Sequence, residues 1–150
     1  MKNSPGFTLI ELMMVLSVVA ILSSIAIPNG LFWINSSRLG EAGRQVLLSI
    51  QDARIYSIKA NATTRIEFSE TENTYKTEKW NPNINDWNIK THTLPAGVQM
   101  DATFGSGRVL TYNSRGGLVS PMGNVTLTNS SGRTIRIFVN INGNARMADD

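Results

Sequence analysis

The sequence predicts an α+β fold, a long amino-terminal helix packed on an all-β head. Three observations predict it. From Phe7 to Ile27 the residues are mostly apolar with no turn signal; a single helical stripe then continues to Ala60; and from Ala62 the pattern changes to period two.

The first six residues, MKNSPG, are short and polar, with Lys2 their only charged side chain. In the apolar run that follows, Glu11 is the only charge, and no other appears before Arg38. At about 1.5 Å rise per residue the run spans roughly 30 Å, the hydrocarbon thickness of a bilayer. A positive amino end ahead of it favours insertion with the N-terminus inside and the remainder outside. Pro28 removes one helical hydrogen bond and predicts a kink, not an end. Beyond it Leu39, Gly43, Val46, Ile50, Ala53, Ser57 and Ala60 recur at alternating steps of four and three, while Arg38, Glu41, Arg44, Asp52 and Lys59 fall off that stripe. This is the pattern of a helix laid on a sheet.

The period-two segments predict strands at 63–69, 74–80, 86–94, 97–102, 107–113, 124–130 and 133–141. Asn81-Pro82, Leu94-Pro95, the glycines at 105 and 107, Ser114–Gly117 and Pro121–Gly123 supply the turns. The domain reading is a leader over 1–6, a transmembrane helix over 7–28, an amphipathic helix over 29–61 and a β head over 62–150, with 29–150 as one globular domain.

Composition excludes several classes. The 150 residues contain no cysteine, so disulfides and thiolate metal sites are impossible. One histidine, His92, and no acidic cluster at ligand spacing argue against a metal enzyme. There is no G-x-S-x-G elbow and no phosphate loop. No cofactor, metal or catalytic residue is expected. Trp80 and Trp87 read as a packing pair across a hairpin rather than a carbohydrate platform. A net charge of +3 permits an anionic partner without requiring one.

The carboxylate of Glu11 separates the readings of the apolar run. A secretory signal cut after Ala26 accounts for the small residues Ser24-Ile25-Ala26, but it leaves an acid in an apolar stretch and Pro28 close to the cut. A plain anchor leaves the acid equally unexplained, at a cost of about 2.5–3.5 kcal/mol on insertion scales. A cut between Gly6 and Phe7 explains it. The new ammonium of Phe7 lies about 6 Å along the axis from Glu11, and the ammonium of one subunit and the carboxylate of another neutralise each other on lateral packing.

Gly6-Phe7-Thr8-Leu9-Ile10-Glu11 resembles the prepilin peptidase motif of type IV pilins and type II secretion pseudopilins, and the likeness runs on to Pro28, where pilins carry their first kink. By that resemblance a prepilin peptidase at the inner membrane cleaves after Gly6 and methylates the Phe7 amine, the head faces the periplasm, and Glu11 sets subunit register among other pilins or pseudopilins in a filament. The stretch LLSIQDARIYSIKANATTRIEF (47–68), with its Ala53-Arg54 pair, resembles the GspH/FimT family. So do the tryptophan hairpin, Leu94–Val98, VLTYNSRGGLVS (109–120) and RTIRIFVNINGNARM (133–147). The family implies a head of two antiparallel sheets and a minor subunit at or near the filament tip, in a secretion pseudopilus or a type IV pilus.

FimT-type pilins linked to DNA uptake carry Gly-Arg-x-Arg near the C-terminus; here the stretch reads Gly143-Asn144-Ala145-Arg146. Arg133, Arg136 and Arg146 are the residues for nucleic-acid binding, the weaker alternative, since residues three apart on a strand face opposite ways and affinity needs several phosphate-neutralising cations.

Overall fold

The computed structural model describes residues 6–105 and 107–149, with the side chains of 25–31 and 149 outside the description. Lys2 and the rest of the leader before Gly6 lie outside the described residues. The chain divides into two compact units, Met1–Ile34 and Asn35–Asp150. Among the described residues one helix, α1 (Leu9–Lys59), is followed by eight strands: β1 (Thr64–Ser69), β2 (Thr74–Asn81), β3 (Asp86–Thr93), β4 (Val98–Phe104), β5 (Val109–Tyr112), β6 (Gly123–Asn129), β7 (Thr134–Val139) and β8 (Ala145–Asp149).

Pro28 falls inside α1. The kink expected there rests on a side chain outside the described residues. The helix ends where predicted, and the reason is local. Asn61 takes the left-handed conformation at φ 46°, its N–H reaches the carbonyl of Ile58, and the N–H of Ala62 reaches Ser57. These are the paired bonds of a Schellman cap, with asparagine where glycine is commoner.

The strands form two antiparallel four-stranded sheets, ordered β3-β2-β1-β5 and β4-β6-β7-β8. Alternation places one side of most strands in a single core, while β3 has no buried residue. Val98, Met100, Ala102 and Phe104 of β4 are buried while the residues between them are exposed. Leu39, Ala42, Val46, Ile50 and Ala53 of α1 join the same core. All of the predicted stripe is buried except Ala60, which is half-buried beside the cap. Phe68 of β1 stacks on Phe104 of β4 with ring centroids 5.6 Å apart, joining the two sheets. Gly43 lets the helix press on β7 and β8, since a Cβ there would stand 3.1 Å from Met147 Sδ and 3.2 Å from Ile135 Cγ2.

The seven predicted strands all form, with ends displaced by up to two residues. β8 is the strand that the sequence pattern missed. Its residues, ARMAD, include no β-branched or aromatic side chain, and it exists through its register with β7, from Val139 opposite Ala145 to Ile135 opposite Asp149.

Candidate assembly site and the head surfaces

The amino-terminal site is built from Thr8 and Glu11. The backbone N–H of Glu11 donates to Thr8 Oγ1 at 3.3 Å, and the backbone N–H and hydroxyl of Thr8 both donate to Glu11 Oε2 at 3.4 Å. This is a reciprocal capping box, S/T-x-x-E, in which the carboxylate also stands at the positive end of the helix dipole. The sequence reading missed this local role, although T-L-I-E is its signature. The bonds are long, so they hold the carboxylate weakly.

Along the next four turns two serines are closed within the helix. Ser17 Oγ donates to the Met13 carbonyl at 2.8 Å and Ser24 Oγ to the Ile21 carbonyl at 2.7 Å. Hydroxyls bonded back to the preceding turn need no water. Around them Phe7, Leu9, Ile10, Leu12, Met13 and Met14 are all exposed, as are the apolar residues onward to Leu22. So continuous an apolar surface marks a membrane or protein contact. Gly6 precedes the helix, and among the described residues nothing lies within 4 Å of where its Cβ would stand. Among the described residues no helix is long and apolar enough to cross a membrane; the final residues of the apolar run, 25–27, have side chains outside the description.

The three arginines separate into two places. Arg136 lies on the outer face of β7, its guanidinium 5.7 Å from the Phe138 ring, and Arg146 of β8 is the register partner of Phe138. These two share one face around an exposed phenylalanine. Arg133 precedes β7 and lines a groove with Arg44 and Glu41 of α1, on the side of the buried Ile135.

Asn144, where the FimT pattern has arginine, is already engaged. Arg54 of α1 donates through Nη1 to Asn144 Oδ1 at 2.5 Å and through Nε to the Gly116 carbonyl at 3.0 Å. Tyr112 donates its hydroxyl to the Gly143 carbonyl at 3.1 Å. Gly143 has φ 77° and would carry a Cβ 2.6 Å from the Gly116 carbonyl oxygen, so both the turn and the close approach require glycine. The helix end and the 113–117 and 140–144 turns are thereby fastened together. Burial pushes the Tyr112 phenol up to about 12, against the opposing charge of Arg54.

The remaining candidates have structural partners. His92 stacks on Tyr75 with centroids 4.7 Å apart, and its pKa is lowered by burial and by the charges of Lys90 and Lys79. Trp80 and Trp87 oppose one another across the β2–β3 hairpin, edge to face at 5.3 Å. Arg65 lies over the Trp87 ring at 4.1 Å. Among the described residues no group of histidine or carboxylate side chains is placed to hold a metal.

Residues 1–27 match the family model of the prokaryotic N-terminal methylation motif, and residues 42–143 match that of the type II transport protein GspH. Several solved structures share the fold, three among them from secretion or pilus systems. Two are of the minor pseudopilin EpsH from the type 2 secretion system of Vibrio cholerae. One aligns with TM-score 0.63 and 12% identity over 75% of this chain and 97% of that chain. The other aligns with TM-score 0.62 and 11% identity over 75% and 96%. The third is the type IV minor pilin FimU of Pseudomonas aeruginosa strain PAO1, with TM-score 0.58 and 13% identity over 79% of this chain and 92% of that chain. At these identities the likeness is one of fold. No curated protein matches the sequence.

Proposed function

Since the chain belongs to the GspH family of type II transport proteins, we propose that it works by assembly, not catalysis, as a minor subunit at or near the tip of a secretion pseudopilus or type IV pilus. A prepilin peptidase cuts between Gly6 and Phe7 and methylates the Phe7 amine. Residues 7–28 hold the subunit in the inner membrane and then in the filament core. Residues 29–61 form the helical spine, and the head of residues 62–150 faces the periplasm.

The observation that carries this reading is the position of Glu11, one turn into an apolar helix in which Ser17 and Ser24 close their hydroxyls on the helix backbone. The capping box neutralises part of its charge with neutral donors, but none of them is a cation. A cationic amine brought alongside by a neighbouring subunit gains most where the surroundings are apolar. The signal-peptide alternative would discard both Glu11 and the capping box with the leader.

Intact-mass measurement of the protein purified from membranes tests the proposal. A mature chain beginning at methylated Phe7 supports it, and Gly6→Leu, with a bulky side chain beside the scissile bond, is expected to leave the precursor uncut. A chain beginning at Ile27 overturns it in favour of ordinary secretion.

A second reading, DNA capture by the head, is favoured by one observation, the shared outer face of Arg136 and Arg146. It needs more cations on that face than these two to reach useful affinity.

A further inference from the structure

The inner sides of the two sheets are largely apolar, with a charged stretch at one edge. Where β2 and β3 continue past the core under α1, the inward positions are Thr77 and Lys79 on β2 and Asn88, Lys90 and His92 on β3. With Asp52 and its neighbours on α1 they line an open cleft of about 500 Å³. β3 is the outermost strand of its sheet, so the backbone groups along its far side have no strand partner among the described residues.

The chemistry of this cleft is lopsided. Lys79 Nζ is bound to Asp52 Oδ2 at 2.6 Å and lies 5.0 Å from the Tyr56 ring centroid. Lys90, the register partner of Thr77, has no carboxylate within ion-pair distance among the described residues. As diagonal cross-strand neighbours the two ammonium stems start roughly 7–8 Å apart. A second, independent feature points the same way. Thr77 is 4% exposed, yet its hydroxyl finds no hydrogen-bond partner among the described residues. A buried hydroxyl left without a partner costs stability. Thr77 lines the cationic cleft, so an acceptor supplied from outside would meet that need.

We propose that this cleft is a docking site for an extended, carboxylate-bearing segment of a partner protein, which adds along the free edge of β3 and places its acid between Lys90 and Lys79. Backbone pairing supplies affinity in such strand addition, and the alternate side chains supply specificity. An inward lysine on an edge strand ordinarily guards against indiscriminate pairing. Here the same charge rejects a neutral strand, which would bury it unpaired, and admits an acidic one. The proposal does not depend on cleavage at Gly6 or on Glu11.

The test is a titration of the isotope-labelled full chain in detergent micelles, followed by NMR, with a capped octapeptide of alternating threonine and glutamate. Its threonine–glutamine counterpart and succinate serve as parallel probes. We expect the glutamate peptide to shift the resonances of Thr77 and of residues 88–92, with affinity at least about tenfold above the glutamine peptide. Lys90→Gln, at an exposed position, should lower that affinity about tenfold with the melting temperature unchanged. Thr77→Val should lower the affinity while leaving the melting temperature equal or higher, an outcome that a merely structural threonine would not produce. Equal binding of the two peptides, or no shifts at millimolar peptide, overturns the proposal. Tighter binding of the glutamine peptide to Lys90→Gln than of the glutamate peptide to wild type also overturns it, leaving Lys90 as an edge guard alone. Succinate binding as tightly as the glutamate peptide replaces the partner segment with a free carboxylate and overturns the occupant proposed.

Discussion

Arg54 and Asn144, ninety positions apart in the chain, meet at 2.5 Å through a guanidinium-to-amide hydrogen bond. The same guanidinium holds the Gly116 carbonyl, so one side chain from the end of α1 fixes two turns of the head. Asn144 is thus a structural acceptor in this chain. An arginine there would lose the bond and bring a second cation beside Arg54.

The first prediction follows from that bond. Arg54→Met and Asn144→Ala should each lower the stability of the head, and a double-mutant cycle should return a coupling of about 1 kcal/mol. Asn144→Arg should destabilise more than Asn144→Ala, because it adds like-charge repulsion. Urea unfolding followed by tryptophan fluorescence provides the measurement, and additive single mutants would show that the contact contributes nothing.

The second prediction concerns alkaline pH. Tyr112 is fully buried, and burial raises its phenol to about 12 from the ordinary 10. Below the unfolded value both states hold the proton and the stability is intact. Above it the unfolded chain ionises first, so stability falls as pH rises from about 10 towards 12, by roughly 2 kcal/mol for a two-unit shift. Tyr75 is raised by burial as well, so Tyr112→Phe should flatten part of the slope, not all of it. Melting temperatures of wild type and Tyr112→Phe between pH 8 and 11 decide; parallel curves would contradict the assignment.

Much of this was legible in the sequence, and for identifiable reasons. The stripe from Leu39 to Ser57 and the alternation of β4 are periodic patterns imposed by burial, and periodicity survives without coordinates. β8 was not legible, because ARMAD takes its extended form from pairing with β7 and not from its own side chains. The Thr8–Glu11 capping box was legible in T-L-I-E but was passed over for the longer-range role of the carboxylate. The Arg54–Asn144 bond and the cationic edge cleft were beyond reach, since each joins residues that only the tertiary fold brings together.

The third prediction concerns nucleic acid. Arg136 and Arg146 share a face while Arg133 lies in a groove on the helix side. Two cations reach only the non-specific range, roughly 10⁻⁴–10⁻⁶ M, and lose that as salt rises. A gel-shift titration of the full chain at two salt concentrations should show weak, salt-sensitive binding, reduced alike by Arg136→Ala and Arg146→Ala and unaffected by Arg133→Ala. Sub-micromolar binding abolished by Arg146→Ala would make this a DNA-capturing subunit.

On the proposed function, Glu11 is kept in an apolar helix for its charge and not only for its cap. Glutamine separates the two roles, since it keeps the reach of the capping box to the Thr8 N–H but carries no charge. The decisive measurement is the fraction of Glu11→Gln subunit recovered in filaments relative to wild type, with both matched for amount in the membrane. Normal insertion, normal helicity and a loss of incorporation as large as that of Glu11→Ala are expected. Incorporation of Glu11→Gln equal to wild type, with Glu11→Ala defective, would contradict the role of the charge and leave Glu11 as a helix cap.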